Sequence, residues 1–296
     1  NVAYPFGRYT GDSTMTAFAS HIAVKKDFAN HAADIYDRSG NWPALARELF
    51  LLRDVAGLLA EPAREPLLAD VWLPDLQIMT ARRRELYVAM KGGTNGESHN
   101  HNDVGSFVVY CDNRPVIVDP GVGSYTAKTF GRDRYDIWTM QSQYHNLPVI
   151  NGMGQRDGAG YAASAVRYSK GRMRLDIAGA YPAEAGVRRW IREVRVGGSG
   201  IVDITEDYEL TVCGVPPCLV VMAAVCPDMS VPGRISLGSH AVLYNPAQLS
   251  VSIEPMEPLL DDKLRGVWGD DLYRIVMTVK GKDKRGKIRW RFSLGR

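Results

Sequence analysis

Gly92-Gly93-Thr94-Asn95-Gly96-Glu97-Ser98-His99-Asn100-His101-Asn102-Asp103 opens the stretch whose reading decides how this chain is organised. It continues through the apolar run 106–110 and through Val116-Ile117-Val118-Asp119-Pro120-Gly121, and it closes on Tyr144-His145-Asn146. Three of the chain's six histidines lie here, with aspartates among them and glycines at the bends. Short runs of Val, Ile, Phe and Tyr around Asp112-Asn113-Arg114 read as the arms of a hairpin. The polar segments between such strands carry the groups that can do chemistry.

In an extended backbone, residues i and i+2 point to one face. If 98–103 is extended, His99, His101 and Asp103 share a side and offer two imidazoles to one ion. Zinc-type sites take nitrogen and carboxylate ligands, often three of them with a fourth position open. A bare His-x-His pair fits a self-bonded polar loop as well. Asp119 adds weight, because it ends a Val-Ile-Val run where a carboxylate is costly to bury without a cation or donors. His145 stands among aromatic and polar residues that suit a cleft. Together these groups favour a metal site, with no sequence spacing that fixes their convergence.

Between the ligand candidates, Tyr125, Lys128, Arg132, Arg134, Tyr135, Trp138 and Tyr144 mix cations with aromatic rings. Rings pack on pyranose faces, and Arg or Lys holds carboxylate or sulfate, so the tract suits a charged sugar. The same composition fits a long polar loop crossing a sandwich. Asn146, Asn151 and Gln155 read as an extension of that polar surface.

Working outward, residues 12–38 have a helical pattern, with Asp12 or Ser13 as cap and Phe18, Ile22, Phe28, Ala32 and Ile35 on one face. Ser39-Gly40-Asn41 breaks it. Pro43 suits the first turn of a second helix, whose stripe is Leu45, Leu49, Leu52, Val55, Leu58 and Leu59. Pro62, Pro66 and Pro74 end helix propagation. Beyond about residue 76 the period changes to two, in 86–90, 173–177, 190–196 and 201–204, with further strands at 218–225, 250–253, 273–279 and 288–292. The fold class expected is mainly β: an antiparallel β-sandwich or supersandwich over 67–296, preceded by a short α-helical segment over 1–66.

The 296 residues carry 36 Lys and Arg against 33 Asp and Glu, a formal charge of +3. Much of the surplus sits at the end, where Lys280, Lys282, Lys284, Arg285, Lys287, Arg289, Arg291 and Arg296 face Asp283 alone. Such a tail is usually a solvated face and less often a contact for a polyanion. Cys111, Cys213, Cys218 and Cys226 show no zinc-ribbon spacing and read as buried free thiols, with a Cys213–Cys218 or Cys218–Cys226 bridge as the alternative. No apolar run reaches the roughly 18 residues of a membrane span. Nucleic acid is a poor candidate, since no recognition helix or aromatic-basic strand motif appears. The chain starts at Asn1 without methionine or signal peptide, as a processed product or fragment would.

The blocks Gly92-Gly93-x-Asn95-Gly96-Glu97-Ser98-His99-Asn100-His101-Asn102-Asp103-Val104-Gly105, Val118-Asp119-Pro120-Gly121 and Gln141-Ser142-Gln143-Tyr144-His145-Asn146, with the approach Trp72-Leu73-Pro74-Asp75-Leu76-Gln77, resemble the heparinase II/III-type polysaccharide lyases. The resemblance implies an N-terminal α/α toroid and a C-terminal antiparallel supersandwich with the active site between them. It implies β-elimination on acidic polysaccharides that contain uronic acid. It implies His101, Asp119 and His145 as ligands of one divalent ion, most simply zinc, in a structural role, and His99 as the catalytic histidine of the β-domain. Tyr135 and Tyr144 lie near the ligand candidates and either could offer a phenol, Tyr135 being the catalytic candidate; Asn95, Glu97, Arg132, Arg134 and Tyr144 are the candidate substrate contacts. A bacterial enzyme of this kind is expected in the periplasm or outside the cell. The helical segment is too short for a toroid, so most of that part is expected to be missing from these residues. Two other classes stay open: a non-catalytic carbohydrate-binding sandwich stiffened by metal, and a metal-dependent hydrolase or oxygenase.

Overall fold

The structure, a computed structural model, describes residues 2–31, 42–66 and 70–295. It divides into two compact units, Asn1–Leu68 and Ala69–Arg296.

The first unit contains helices Ala3–Thr10, Ser13–Lys25, Phe28–His31 and Trp42–Ala60. Asp12 caps the second of these, its carboxylate accepting the Met15 N–H at 3.0 Å. The single helix expected over 12–38 is interrupted, because Asp27 takes a left-handed φ of 49° after Lys25. Its expected apolar face is also displaced. Phe18 is exposed, while Thr16, Ala17, Ala19, Ser20 and Ala23 are buried. Small side chains on that face let the core of Tyr4, Phe28 and Leu58 close around Ala19 and Ala23. Of the second expected stripe Leu58 is fully buried, whereas Leu49, Leu52 and Leu59 are exposed. Ala32, Ile35 and the break at 39–41 lie outside the described residues.

The second unit is built on two antiparallel sheets. One runs Val71–Leu73, Ile78–Arg83, Leu86–Lys91, Phe107–Cys111, Arg114–Ile117, Cys218–Ala223, Tyr273–Val279, Leu249–Pro255, with Pro148–Val149 added against Cys218–Ala223. The other runs Pro227–Asp228, Arg234–Leu237, His240–Leu243, Arg285–Ser293, Ile201–Leu210, Val187–Gly197, Arg172–Asp176, Ser164–Ser169. Alternate residues of each face a shared core, with Val88, Val109 and Ile275 from the first sheet meeting Trp190, Ile204 and Phe292 from the second. The Asp112-Asn113 hairpin forms as read, and both residues are left-handed, with φ of 50° and 60°. The fold is thus mainly antiparallel β, as the alternation predicts.

Several short strands escaped the sequence reading, among them Ser164–Ser169 and Arg234–Leu237. Each carries polar residues on an exposed or edge face, so its period-two signal is weak. The helix Asp262–Trp268 also escaped, although Asp261 caps it by accepting the Leu264 N–H at 2.9 Å. Leu264 and Met256 cover Val220 and Met222 on the first sheet's outer face, which explains why 219–223 is buried throughout. All four cysteines are free, but only Cys111 is buried as expected; Cys213 and Cys218 are half-buried and Cys226 is exposed.

One cross-strand pair on the inner face is not apolar. Arg192 lies opposite Glu206, on the same inward register as Trp190, Val194, Ile204 and Tyr208. Both are buried, and Glu206 accepts from Arg192 Nε at 2.9 Å and from Trp190 Nε1 at 2.7 Å. Arg192 Nη1 reaches across the core to the carbonyls of Gly105 and Asn146, at 2.9 and 2.5 Å. Removing one partner strands a buried charge, so Arg192→Ala should cost about 3–5 kcal/mol in chemical denaturation. The double variant Arg192→Met/Glu206→Leu should recover much of that loss. A single-variant loss below about 1 kcal/mol would contradict this account.

Candidate metal centre

Asp119 leaves the end of the strand Arg114–Ile117, and its carboxylate folds back on its own chain: Oδ1 accepts the Gly121 N–H at 2.8 Å. Gly121 has a φ of 78°, which an L side chain rarely adopts, so glycine permits this turn. Oδ2 then points to His145 Nδ1 at 2.8 Å.

His145 is completely buried, and its Nε2 lies 3.1 Å from the Thr139 carbonyl. A carbonyl can only accept, so Nε2 carries the proton. That leaves Nδ1 facing a carboxylate oxygen, an arrangement that requires either a second proton or a cation between them. His101 completes the group, its ring centroid 5.3 Å from that of His145. One ligand atom from each of His101, Asp119 and His145 lies within 4.8 Å of the others. Two imidazole nitrogens and a carboxylate, with the buried histidine's other nitrogen fixed by a backbone carbonyl, fit a divalent transition metal.

The electrostatics agree with that donor set. Burial works against charge on His145, yet Asp119 outweighs it and raises the imidazole above its ordinary value. Asp119 is held far below the usual carboxylate range: burial opposes this, and the charge and hydrogen bond of His145 overcome it. His101 is pushed down, first by burial and then by His145, and so stays neutral and available as a ligand.

Asn146, next to His145, fixes the frame. It is fully buried, donates to the carbonyls of Phe107 (2.6 Å) and Val118 (2.9 Å), and accepts the Met222 N–H at 2.7 Å. One side chain therefore ties the strand before the His145 loop to the residue before Asp119. Gln155 does the same for the histidine loop, donating to the Val104 carbonyl and accepting the Val104 N–H at 2.7 and 3.0 Å. Asn146 and Gln155 are thus buried braces, not the exposed polar surface the sequence suggested. Asn151 is half-buried and bonds Ala185, Val212 and Gly214.

The segment 98–103 is a loop rather than a strand, and His99 has a left-handed φ of 59°. His99 is exposed, His101 half-buried, and Asp103 turns aside to pair with Lys91 at 2.7 Å. The expected shared face of His99, His101 and Asp103 does not form. Asn100 between the histidines is buried: Tyr135 Oη donates to its Oδ1 at 2.7 Å and Arg134 Nη2 to its carbonyl at 2.9 Å. Asn95 is wholly buried, bonding Gln155, the Arg156 carbonyl and the Asp103 N–H. Glu97 and Arg132 are exposed, and Arg132 lies 3.7 Å from Asp133. Tyr144 packs edge-on to Trp138 with Arg274 over its ring. The structure brings the three ligand candidates together, sets Arg134 and Tyr135 against the loop between His99 and His101, and leaves Arg132 in solvent. Thr139, Asn100 and Arg192 were missed; only Arg192 left a signal, a charge on an otherwise apolar register.

A two-sheet sandwich carrying this His-Asp-His group on the loops around Phe107–Cys111 and Arg114–Ile117 defines the class. Residues 65–187 match the family described as heparinase II/III-like, C-terminal. Among solved structures, a mutant of the heparan sulfate lyase HepC from Pedobacter heparinus superposes with a TM-score of 0.62 at 13% identity, over 86% of this chain and 41% of that one. A heparinase III structure gives 0.57 at 12%, over 79% and 38%. The chain thus spans about two-fifths of the length of the structures it resembles. At these identities the likeness establishes the fold. No curated protein matches the sequence.

Proton linkage gives the centre a signature. A histidine raised above its unfolded value of 6.5 adds stability that is full below that value and lost as pH rises through the folded one. A metal displaces that proton, so its stabilisation grows with pH. The melting-temperature difference between metal-loaded and chelator-treated protein should be larger near pH 8 than near pH 5.5 (both pH values approximate). A difference that stays flat or shrinks would argue against a metal at His145. By metal analysis, His101→Ala should lose the ion and stability together, whereas His99→Ala should keep both.

Proposed function

We propose that this chain carries the β-domain of a polysaccharide lyase that cleaves uronic-acid-containing acidic polysaccharide by β-elimination. The observation that carries the reading is an exposed imidazole, His99, two residues from a His101–Asp119–His145 group that can anchor its loop. The match of 65–187 to the heparinase II/III-like family and the lyase names of the structural relatives support it.

The elimination removes the C5 proton of a uronate, breaks the bond from C4 to the departing oxygen, and leaves a C4=C5 double bond. The departing oxygen must be protonated. His99 has the residue type for the proton transfer, since an imidazole nitrogen can accept or donate a proton as general base or acid. Tyr135 is the phenol this chain offers, held beside the His99 loop by its bond to Asn100. Glu97, Arg132, Arg134 and Tyr144 are the candidate contacts to substrate, while Asn95 supports the loop from within. The bound ion, most simply zinc, would contribute positive charge that fixes His101, Asp119 and His145 as a joint beneath the catalytic loop. The remaining groups would come from a helical toroid beyond these residues; exposed Leu49, Leu52 and Leu59 suit a helical neighbour. A polymeric substrate of this kind suits an enzyme of the periplasm or the cell exterior.

The test uses the full-length protein with uronate polymers, reading ultraviolet absorbance of the new double bond. Activity should appear with at least one polymer and fall about 100-fold or more in His99→Ala, with the metal retained. Binding of a polymer with no double bond formed would instead make the domain a carbohydrate-binding module.

A further inference from the structure

Residues 285–293 form a long strand whose inward positions are Gly286, Ile288, Trp290 and Phe292. Its outward positions 285, 287, 289 and 291 are all exposed and all cationic. On the neighbouring strand the facing residues are Glu209, Asp207, Thr205 and Asp203. Two of these acids answer the row: Glu209 pairs with Arg285 at 3.0 Å, and Asp203 with Arg291 at 2.7 Å. Asp207 pairs instead with Arg189 at 2.6 Å. Arg289 has only Thr205 opposite, so the middle of the row is unneutralised.

This face holds a groove of about 470 Å³ that crosses four strands. Arg172, Arg195, Lys287, Arg289 and Arg291 line it against Glu193 and Asp203. Glu193 pairs with Arg172 at 2.6 Å. Among the described residues Arg195, Lys287 and Arg289 have no ion-pair partner. Arg172 and Arg195 stand directly opposite each other across the strands, an arrangement of like charges that works against folding. Neither packing nor internal salt bridging accounts for this surplus.

We infer that the outer face of the second sheet is a separate docking groove for an acidic polysaccharide, built from Arg195, Lys287 and Arg289. Successive outward side chains on a strand lie about 7 Å apart and neighbouring strands about 4.8 Å apart. The cations therefore form a two-dimensional array suited to a chain with regularly spaced carboxylates or sulfates. Guanidinium groups hold such anions through paired hydrogen bonds. Single-stranded nucleic acid fits less well, because the groove offers no exposed aromatic platform for base stacking; Trp290 is 3% exposed. The groove lies on the sheet that contributes none of the three ligand candidates, so the inference stands whether or not the chain is a lyase.

The experiment is titration of the whole chain with a size-defined sulfated uronate oligosaccharide, with a single-stranded DNA of similar charge in parallel. The triple variant Arg195→Ser/Lys287→Ser/Arg289→Ser breaks no internal ion pair, so its melting temperature should be unchanged or raised. Its affinity for the oligosaccharide should fall about tenfold or more and depend less steeply on salt. The double variant Lys25→Ser/Lys26→Ser, which removes two exposed cations outside both the groove and the metal centre, serves as the charge control and should keep this binding. Unchanged affinity in the triple variant would overturn the inference. Tighter binding of the DNA than of the oligosaccharide would overturn it as well. If the triple variant melts lower, the single variant Arg289→Ser decides: a loss of affinity at unchanged melting temperature supports the groove, and retained affinity rejects it.

Discussion

The Arg192–Glu206 pair sits where a sandwich can least tolerate charge. Taking each ion out of water costs about several kcal/mol, and a well-packed apolar pair would fill the space without that cost. What an apolar pair could not do is donate. Arg192 spans from the second sheet to the Gly105 and Asn146 carbonyls, one at the end of the histidine loop and the other beside His145. Glu206 neutralises it and takes the Trp190 indole proton as well. The pair therefore converts the rigidity of two long core strands into the fixed position of two irregular loops.

Around that anchor the loops are braced by amides. Asn146 and Gln155 each bond backbone donors and acceptors from distant segments, replacing strand pairing where the chain leaves the sheet. Buried backbone groups must find partners, and side-chain amides supply both kinds from one residue. The consequence is that Asp119 and His145 approach closely without sharing a strand. The same bracing leaves His99 free at the loop's crest, in a left-handed conformation with its ring in solvent. The two histidines of one short motif are thus divided between a half-buried and an exposed position.

The sheets differ in how they treat charge on their outer faces. The first sheet covers part of its outer face with the helix Asp262–Trp268 and the Trp138–Tyr144 loops. The second leaves a grid of arginines, lysine and carboxylates in water, with more cations than partners. In the sequence that grid was legible only as a basic tail. Pairing residues 285–293 with 201–210 decides which cations are answered.

The sequence by itself determined the class of fold and the candidate ligands. Period-two alternation marks strands because it follows from the pleat, and three residue types are conspicuous: His101 in a His-x-His pair, Asp119 at the end of a Val-Ile-Val run, and His145 among aromatic and polar residues. It did not determine their convergence, which depends on strand order and on braces that look in sequence like ordinary surface polar residues. Asn146 and Gln155 were unreadable for that reason, since an amide has no periodicity of its own. The shared face of His99, His101 and Asp103 failed because one left-handed residue turns the chain, and no alternation rule anticipates that. Arg192 and Glu206 were partly legible, as charges on inward registers. Only the tertiary structure showed them as direct partners, because register between strands is set by packing against the opposite sheet.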